Sequence, residues 1–374
     1  MATRGSADLD AGLGAPPAMS CKCAVITMSR DEALLFPVFL RYYAKHFAAH
    51  EIIVLDHLTQ DGSLSAGFAL NVLPTSLPEP DELGGRPFVR VDLRTALATD
   101  PLGFNPHFCP ELWRPRVLAD AAARLLEGPG EVGAVVCVDI DEIVCLDPLL
   151  SKEYSTLREV LASFALGKDV SAAQKVAYAT CRGFEVHHDV EGGEPVLDFS
   201  KDVLSQRRLM FANTMYNKPA VLRGRVSYSA GQHYVQGPAK KPRWQTDVPQ
   251  LLLLHLHRAD FQQALARRGK YLEAEQAGRW DPKQPRSWDF HYRFVDPCST
   301  VDAASGSTDF VEKFWGRLEG PAECPREAKS TLEHVKQTRP PTWVVRPWKP
   351  GSGCEKQCSE PEWIPDDWRS RIHI

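Results

Sequence analysis

An apolar run changes abruptly to acid in the stretch Val135-Val136-Cys137-Val138-Asp139-Ile140-Asp141-Glu142-Ile143-Val144. We interpret its first part as a buried strand that ends at two carboxylates spaced i, i+2, with a third beside them. Carboxylates at the end of a core strand are unfavourable unless a cation meets them. Mg²⁺ and Mn²⁺ suit that position, because they prefer oxygen ligands and leave room for phosphates. The stretch therefore predicts a metal–diphosphate site, and its simpler interpretation is three acids at a solvated strand exit.

Strands and helices alternate in the residues before this stretch. Residues 24–28, 51–55 and 88–93 are short apolar runs of β type, and residues 31–47 and 111–126 carry apolar side chains at helical spacing. Strands that are apolar along their whole length and alternate with helices are typical of a parallel sheet covered by helices. The sequence therefore predicts an α/β fold.

Polar residues follow three of the predicted strands. Ser29-Arg30-Asp31-Glu32 comes after the first strand, Asp56 ends the second, and Asp139 and Asp141 follow the acid-terminated one. In an open parallel sheet, ligands bind at the carboxyl ends of the strands. We therefore expect these polar groups to meet at one edge of the sheet.

The pattern changes from about residue 150 onward. A helix is predicted at 155–165, mixed β structure at 174–185 and 207–235, and a charged helix at 258–278. After residue 280, Pro, Trp and charged residues dominate with little periodicity. The second half is therefore expected to be mixed, with an irregular tail.

A leucine-rich strand at 251–257 ends in two histidines, His255 and His257. Side chains alternate along a strand, so both imidazoles face the same side. Neutral imidazole is a common metal ligand, and one of the two could complete a metal site with the acids. The alternative is one core histidine and one surface histidine.

The composition argues against a membrane-spanning or nucleic-acid-binding protein. The 374 residues are 43% hydrophobic and 25% charged, yet no apolar run reaches the about 18 residues of a membrane span. The net charge is −4, the pI is near 6.3, and no basic tract stands out, so nucleic acid is not an expected partner. Residues 1–20 lack the apolar core of a secretory signal, which predicts a disordered leader and a cytoplasmic protein whose ten cysteines are reduced.

Five segments, in this order, resemble the motifs of glycosyltransferase family 2-like proteins. Residues 26–33 resemble the opening motif, 54–63 the D-N-x-S-x-D-G-S/T segment, and 137–142 the D-x-D-E motif. The other two are Asn217-Lys218-Pro219 through Gly231-Gln232-His233, and Leu254-His255-Leu256-His257-Arg258 followed by a basic helix. The resemblance covers roughly residues 22 to 275, with Asp31 and His57 standing where the family usually has Asn.

The resemblance implies a GT-A fold: a mainly parallel Rossmann-like sheet flanked by helices, with a mixed α+β acceptor half and an irregular C-terminal tail. It divides the chain into a leader at 1–20, a glycosyltransferase-like domain at 21–280 and an extension at 281–374. Within the domain, the nucleotide half covers about 21–150 and the acceptor half about 151–280. The implied activity is sugar transfer from a UDP- or GDP-sugar donor to an unknown glycan, protein or small-molecule acceptor, with Mn²⁺ or Mg²⁺ as cofactor.

The resemblance also implies roles for individual residues. Asp141 is expected to contact the metal directly, with Asp139 nearer the donor ribose or bound through water. The implied metal ligands are Asp139, Asp141, His255 and His257, and the implied donor contacts are Glu32, Asp56, Asp139 and Lys218. Simpler roles remain open for three of these: Asp56 could cap a turn, Glu32 could cap its helix, and Lys218 could be a solvated cation.

The sequence does not choose the catalytic base. An inverting transferase needs a carboxylate or histidine near the acceptor hydroxyl, and the candidates are Glu185, Asp198 and His233. Two other functions stay open. The His255-x-His257 pair with the acids could serve a metal-dependent hydrolase, or the domain could bind a nucleotide or glycan without catalysis.

Overall fold

The structure is a computed structural model. It describes residues 21–99, 104, 113–130, 132–151, 154–167, 177–189, 193–212, 216–236, 245–260, 262–264, 266–267 and 362–374. The predicted leader at 1–20, most of the charged helix at 258–278 and most of the extension at 281–374 lie outside these residues.

The first half of the chain forms a parallel sheet. Its strands lie in the order β5-β1-β2-β4-β3, and every neighbouring pair is parallel. The five strands are β1 (Lys22–Ser29), β2 (Ile52–Asp56), β3 (Phe68–Leu70), β4 (Val89–Asp92) and β5 (Val132–Cys137). Four of them match the predicted strands, and β3 was not predicted.

Helices cover both faces of this sheet. They are α1 (Leu35–Tyr43), the short α2 (Leu93–Ala96), α3 (Trp113–Glu127) and α4 (Leu157–Leu166). Alternate residues of each strand point to opposite faces: Val25 packs with α1 and α4, whereas Ile26 packs with α3. This arrangement confirms the α/β prediction, because the parallel part of the sheet is flanked by helices as in Rossmann-like folds.

The second half extends the same sheet with mixed pairing. Its elements are β6 (Glu142–Leu146), β7 (Tyr178–His187), α5 (Val203–Gln206), β8 (Leu209–Ala212), β9 (Val221–Leu222), β10 (Ser227–Tyr228), β11 (Val235–Gln236), β12 (Gln245–Arg258), β13 (Glu362–Trp363) and α6 (Asp366–Arg371). Short β9 pairs antiparallel with both β5 and β7, which joins the two halves into an eleven-stranded sheet within the described chain.

The acidic stretch is a turn between two strands. Strand β5 stops at Cys137, and the chain re-enters the sheet as β6. Strand β12 lies between β6, to which it is antiparallel, and β7, to which it is parallel. This pairing places His255 opposite both Glu142 and Glu185. The acids therefore face the histidine strand, which excludes the simpler interpretation of a solvated strand exit.

The last described residues are regular and packed on the core. Strand β13 pairs antiparallel with β8, and Trp368 of α6 is completely buried. The backbone N–H of Ile374 donates to Asp202 at 2.7 Å, and Lys45 donates to the backbone oxygen of His373 at 2.8 Å. Among the described helices, none has the length and apolar character needed to cross a membrane.

Candidate metal centre

Three buried side chains converge where β12 meets the acidic turn. The nearest carboxylate oxygen of Asp141 lies 3.5 Å from Nε2 of His255 and 3.6 Å from Nδ1 of His257. The ligand atoms of the three residues all lie within 4.8 Å of one another. We call this group the metal triad.

The strand geometry explains the convergence. His255 and His257 are two residues apart on β12 and present their rings to the same side, stacked with centroids 5.5 Å apart and planes 4° from parallel. Between them, the N–H of Leu256 donates to the backbone oxygen of Asp141 at 2.8 Å. The main chain therefore holds the acid against the histidine strand.

The triad has an uneven charge distribution. Burial raises the pKa of Asp141, but the charges of Arg267 and His255 outweigh burial and hold that pKa well below its usual value. Burial lowers the pKa of His255, but Asp141 and Glu185 outweigh it and raise that pKa to about 9. Burial, together with Arg267, lowers the pKa of His257. At neutral pH, therefore, Asp141 is ionised, His255 is an imidazolium and His257 is neutral.

Glu185 contacts the triad through His255. Its carboxylate lies 3.4 Å from Nδ1 of His255 and 3.4 Å from Nε of Arg258. Burial raises its pKa, but Arg258 and His255 outweigh burial and lower it, so the group is a carboxylate. The Tyr216 ring also lies against His255, with centroids 4.0 Å apart. Both neighbours fix the orientation of the His255 ring.

Arg267 joins the triad to the end of β1. Its Nη1 contacts Asp141 and lies 3.2 Å from Nδ1 of His257. Its Nη2 and Nε lie 3.2 and 3.3 Å from the Glu32 carboxylate. The predicted donor-binding residue Glu32 is thus an anchor for an arginine that reaches the metal triad.

Asp139 belongs to a second charged group. Its carboxylate lies 3.2 Å from Nη1 of Arg114 and 3.2 Å from Nζ of Lys218, which also contacts Glu142. Burial raises the pKa of Asp139, but the charges of Arg114 and Lys218 outweigh burial, and the pKa is lowered. The backbone N–H of Asp139 donates to Glu142 at 3.0 Å. The structure therefore places Asp139 and Lys218 together beside the triad, and their metal and donor roles stay predictions.

Asp56 has structural partners at the same edge of the sheet. It pairs with Arg90 at 2.5 Å and accepts the N–H of Thr59 at 2.8 Å, the turn-capping role that the sequence left open. Next to it, the buried His57 ring packs against Trp113 and Phe104, with centroids 5.2 and 5.8 Å apart. The strand ends therefore meet, as predicted, but Asp56 is already neutralised by a cation.

The candidate bases lie in different surroundings. Glu185 is buried against His255, as described above. Asp198 is an exposed turn residue bonded to Ser200 and Lys201, at 2.6 and 3.0 Å. The His233 ring lies 6.2 Å from that of Tyr216, which itself packs on His255, so Tyr216 lies next to both histidines.

Sequence reasoning missed three residues of the centre: Arg114, Tyr216 and Arg267. The basic character of the segment after Arg258 was the only signal for Arg267, and it did not single out one side chain. Arg114 is the second residue of α3 and Tyr216 lies between β8 and β9, and no pattern in the sequence singled out either side chain. Only the folded chain shows which residues face the acids.

The donor chemistry of the triad fits a divalent metal. A cation with bonds of about 2.1 Å to N and O has neighbouring ligand atoms about 3–4 Å apart, and the separations from Asp141 are 3.5 and 3.6 Å. Metal ligation by His255 would release its proton, as is general for histidine ligands.

No known protein-family model matches this sequence, and no curated protein is similar enough to match it.

Proposed function

We propose that this protein is a metal-dependent glycosyltransferase of the GT-A type, which moves a sugar from a nucleotide-sugar donor to an acceptor. The observation that carries the proposal is the metal triad at the carboxyl end of a parallel sheet, formed by the second acid of Asp139-x-Asp141 and by His255 and His257. Ligands of open α/β sheets bind at this edge. The motif resemblance supports the same assignment.

The residues around the triad suit a departing nucleoside diphosphate. A bound divalent cation would neutralise the negative charge that develops on the leaving phosphates. Asp141, His255 and His257 would hold that cation, while Glu185 and Tyr216 keep the His255 ring in place. Arg114 and Lys218 lie beside it as fixed cations, each paired with an acid of the acidic turn.

Among the candidate bases, we propose His233 as the residue that takes the proton of the acceptor hydroxyl. Glu185 is bound to His255 and Arg258, and its lowered pKa makes it a weak base. Asp198 is held in a surface turn by Ser200. His233 lies next to Tyr216, which packs on His255, and we therefore propose His233 as the group that meets an acceptor hydroxyl.

The donor set favours Mn²⁺ over Mg²⁺. Mg²⁺ prefers oxygen ligands and keeps several waters, whereas two imidazoles and one carboxylate suit softer divalent ions. The same set suits Zn²⁺, which is the observation that favours a metal-dependent hydrolase as the second candidate function.

A panel of nucleotide sugars tests the proposal. Purified protein is incubated with UDP-sugars, GDP-sugars and the free nucleotides in the presence of Mn²⁺, Mg²⁺, Zn²⁺ or EDTA, and thermal stabilisation and nucleotide release are measured. We expect one nucleotide to stabilise the protein only with Mn²⁺ or Mg²⁺, and the effect to be lost in Asp141→Asn. Asp198→Asn is the matched control, because that acid is exposed and lies in a turn.

Two results would contradict the transferase. The first is no stabilisation by any nucleotide with any metal. The second is ester or amide hydrolysis that depends on Zn²⁺ and on His255 and His257, which would place the hydrolase first. Metal-dependent nucleotide binding without sugar release in the presence of varied acceptors would instead favour a non-catalytic binding domain.

A further inference from the structure

Arg267 uses the same atoms that a metal would use. Its Nη1 contacts Asp141 Oδ2, the oxygen nearest to both histidines, and lies 3.2 Å from Nδ1 of His257. A guanidinium has only donors. The Nδ1 atom of His257 must therefore accept, so its one lone pair points toward Arg267, and the Asp141 carboxylate accepts from the same Nη1.

A metal ion and this guanidinium cannot both use the lone pair of His257 Nδ1, because a neutral imidazole has only one acceptor nitrogen. Two of the three donor atoms of the metal triad take Arg267 as their partner, and both would have to turn to the metal. Two cations at one buried carboxylate also repel each other strongly, because the Arg267 and Asp141 side chains are only 13% and 7% exposed. Entry of the metal therefore requires Nη1 of Arg267 to leave His257, and the repulsion moves the same Nη1 away from Asp141.

We propose that Arg267 is an exchangeable internal cation, which closes the triad by bridging Asp141 and Glu32 and is displaced from Asp141 when a divalent metal binds. The inference rests on the metal site of the proposed function. Glu32 is not a triad member, and it binds Arg267 through Nε and Nη2, whereas Asp141 contacts Nη1. The guanidinium can therefore stay attached to Glu32 after Nη1 is released.

The displaced guanidinium would remain at the rim of the site. Glu32 would hold it there, next to the metal position. A guanidinium is planar and donates two parallel hydrogen bonds, which suits it to bind two oxygens of one phosphate. The exchange therefore couples metal entry to exposure of an anion-binding group. It places the metal before the nucleotide in the order of binding.

Metal affinity without any nucleotide tests the exchange. Mn²⁺ is titrated into the full-length wild-type protein and its variants, and free Mn²⁺ is measured by electron paramagnetic resonance. We expect Arg267→Ala to bind Mn²⁺ about tenfold more tightly, because the competing cation is gone. Arg267→Lys should lie between the two, and Glu32→Gln, which weakens the anchor and removes no metal ligand, should also bind Mn²⁺ more tightly than wild type.

Thermal stability gives a second readout. Without metal, Arg267→Ala should melt below wild type, because Asp141 and Glu32 lose their buried partner. With saturating Mn²⁺ the difference should become smaller, because Arg267 no longer neutralises Asp141 in that state. The matched control is Arg225→Ala, which removes an exposed arginine paired with Glu127 at 3.0 Å and should leave Mn²⁺ affinity unchanged.

The outcomes separate this inference from the proposed function. Weaker or unchanged Mn²⁺ binding in both Arg267→Ala and Glu32→Gln would overturn the exchange and leave the metal site standing. Failure of the wild type and every variant to bind Mn²⁺, Mg²⁺ or Zn²⁺ would overturn both the exchange and the metal-dependent function.

Discussion

The backbone N–H of Leu256 donates to the backbone oxygen of Asp141 at 2.8 Å, directly between the two triad histidines. This bond does not depend on the charge of any side chain. It fixes the separation of acid and imidazoles through the main chain, on a strand paired on both sides. Protonation or metal exchange at the triad can therefore change side-chain contacts while the backbone frame stays in place.

Gly183→Ala should damage the centre through Tyr216. A Cβ at Gly183 would lie 2.3 Å from the backbone carbon of Tyr216, a contact that only a backbone shift can relieve. Because Tyr216 packs on His255, we expect lower Mn²⁺ affinity and a loss of about 1–3 kcal/mol in the free energy of unfolding, measured by urea denaturation.

Gly224→Ala is the matched control for that substitution. A Cβ there meets only the side chain and Cα of Ala177, at ordinary distances of 3.5 and 3.7 Å. Equal behaviour of the two variants would contradict the role of Gly183 in positioning Tyr216.

The backbone conformation of Gln232 predicts that two substitutions that shorten its side chain differ in stability. Gln232 has a φ of 61° although it is not glycine, and its side chain is 2% exposed. Gly and Ala both remove the amide, but only Gly adopts positive φ without strain. Gln232→Gly should therefore be about 1 kcal/mol more stable than Gln232→Ala in urea denaturation. An alanine variant as stable as the glycine variant would show that this residue does not adopt the left-handed conformation.

Cys21 should react at lower pH than an ordinary thiol. A hydrogen bond with Cys23 is the main cause that lowers its pKa, which falls to about 7 despite partial burial, with help from Gly133 and Arg158. A lowered thiol pKa gives more thiolate at neutral pH, so alkylation by iodoacetamide should reach half its maximal rate near pH 7. Peptide mass spectrometry across a pH series measures this rate.

The other described cysteines serve as internal controls for Cys21. Cys23, Cys137, Cys145 and Cys181 are buried, and burial contributes to raising the pKa of each. They should stay unmodified in the folded protein. Modification of Cys21 only well above pH 8, or at the same rate as the buried four, would contradict the prediction.

Trp368 should contribute strongly to stability although it lies far along the chain. Its side chain is completely buried and its ring meets Phe184 of β7 edge-on, with centroids 5.3 Å apart. Trp368→Ala should lower the free energy of unfolding by about 3–5 kcal/mol. Trp368→Phe should lower it much less, and an alanine variant with wild-type stability would mean that the segment is not docked in solution.

The parallel half of the sheet was predictable because most of its strands are apolar on both faces. β1, β2 and β5 follow largely hydrophobic runs, whereas β4 alternates between buried valines and partly exposed polar residues. The triad residues were singled out because each lies at or just beyond the end of an apolar run. β3 was not predictable, since Phe68–Leu70 is only three residues long and half-exposed. A strand of three residues is too short to show the alternation of apolar and polar residues by which strands are predicted.

The arginines of the centre could not be predicted. Arg267 contacts Asp141 across 126 positions of sequence, and Arg114 contacts Asp139 across 25. Arginines are frequent on solvated helix surfaces, so their type and spacing do not reveal a buried partner. The sequence identified the acids and histidines because a polar group at the end of an apolar strand is unusual, whereas an arginine on a polar helix is ordinary.

The docking of β13 on β8 also affects how the protein can be shortened. Glu362 and Trp363 occupy the hydrogen-bonding edge of β8, and Ile364 and Trp368 fill an apolar surface beside it. A chain truncated at residue 280 would leave that edge and that surface open to water. Unprotected strand edges recruit other strands, so such a fragment should associate with itself and precipitate, while the chain that retains residues 362–374 keeps its edge covered.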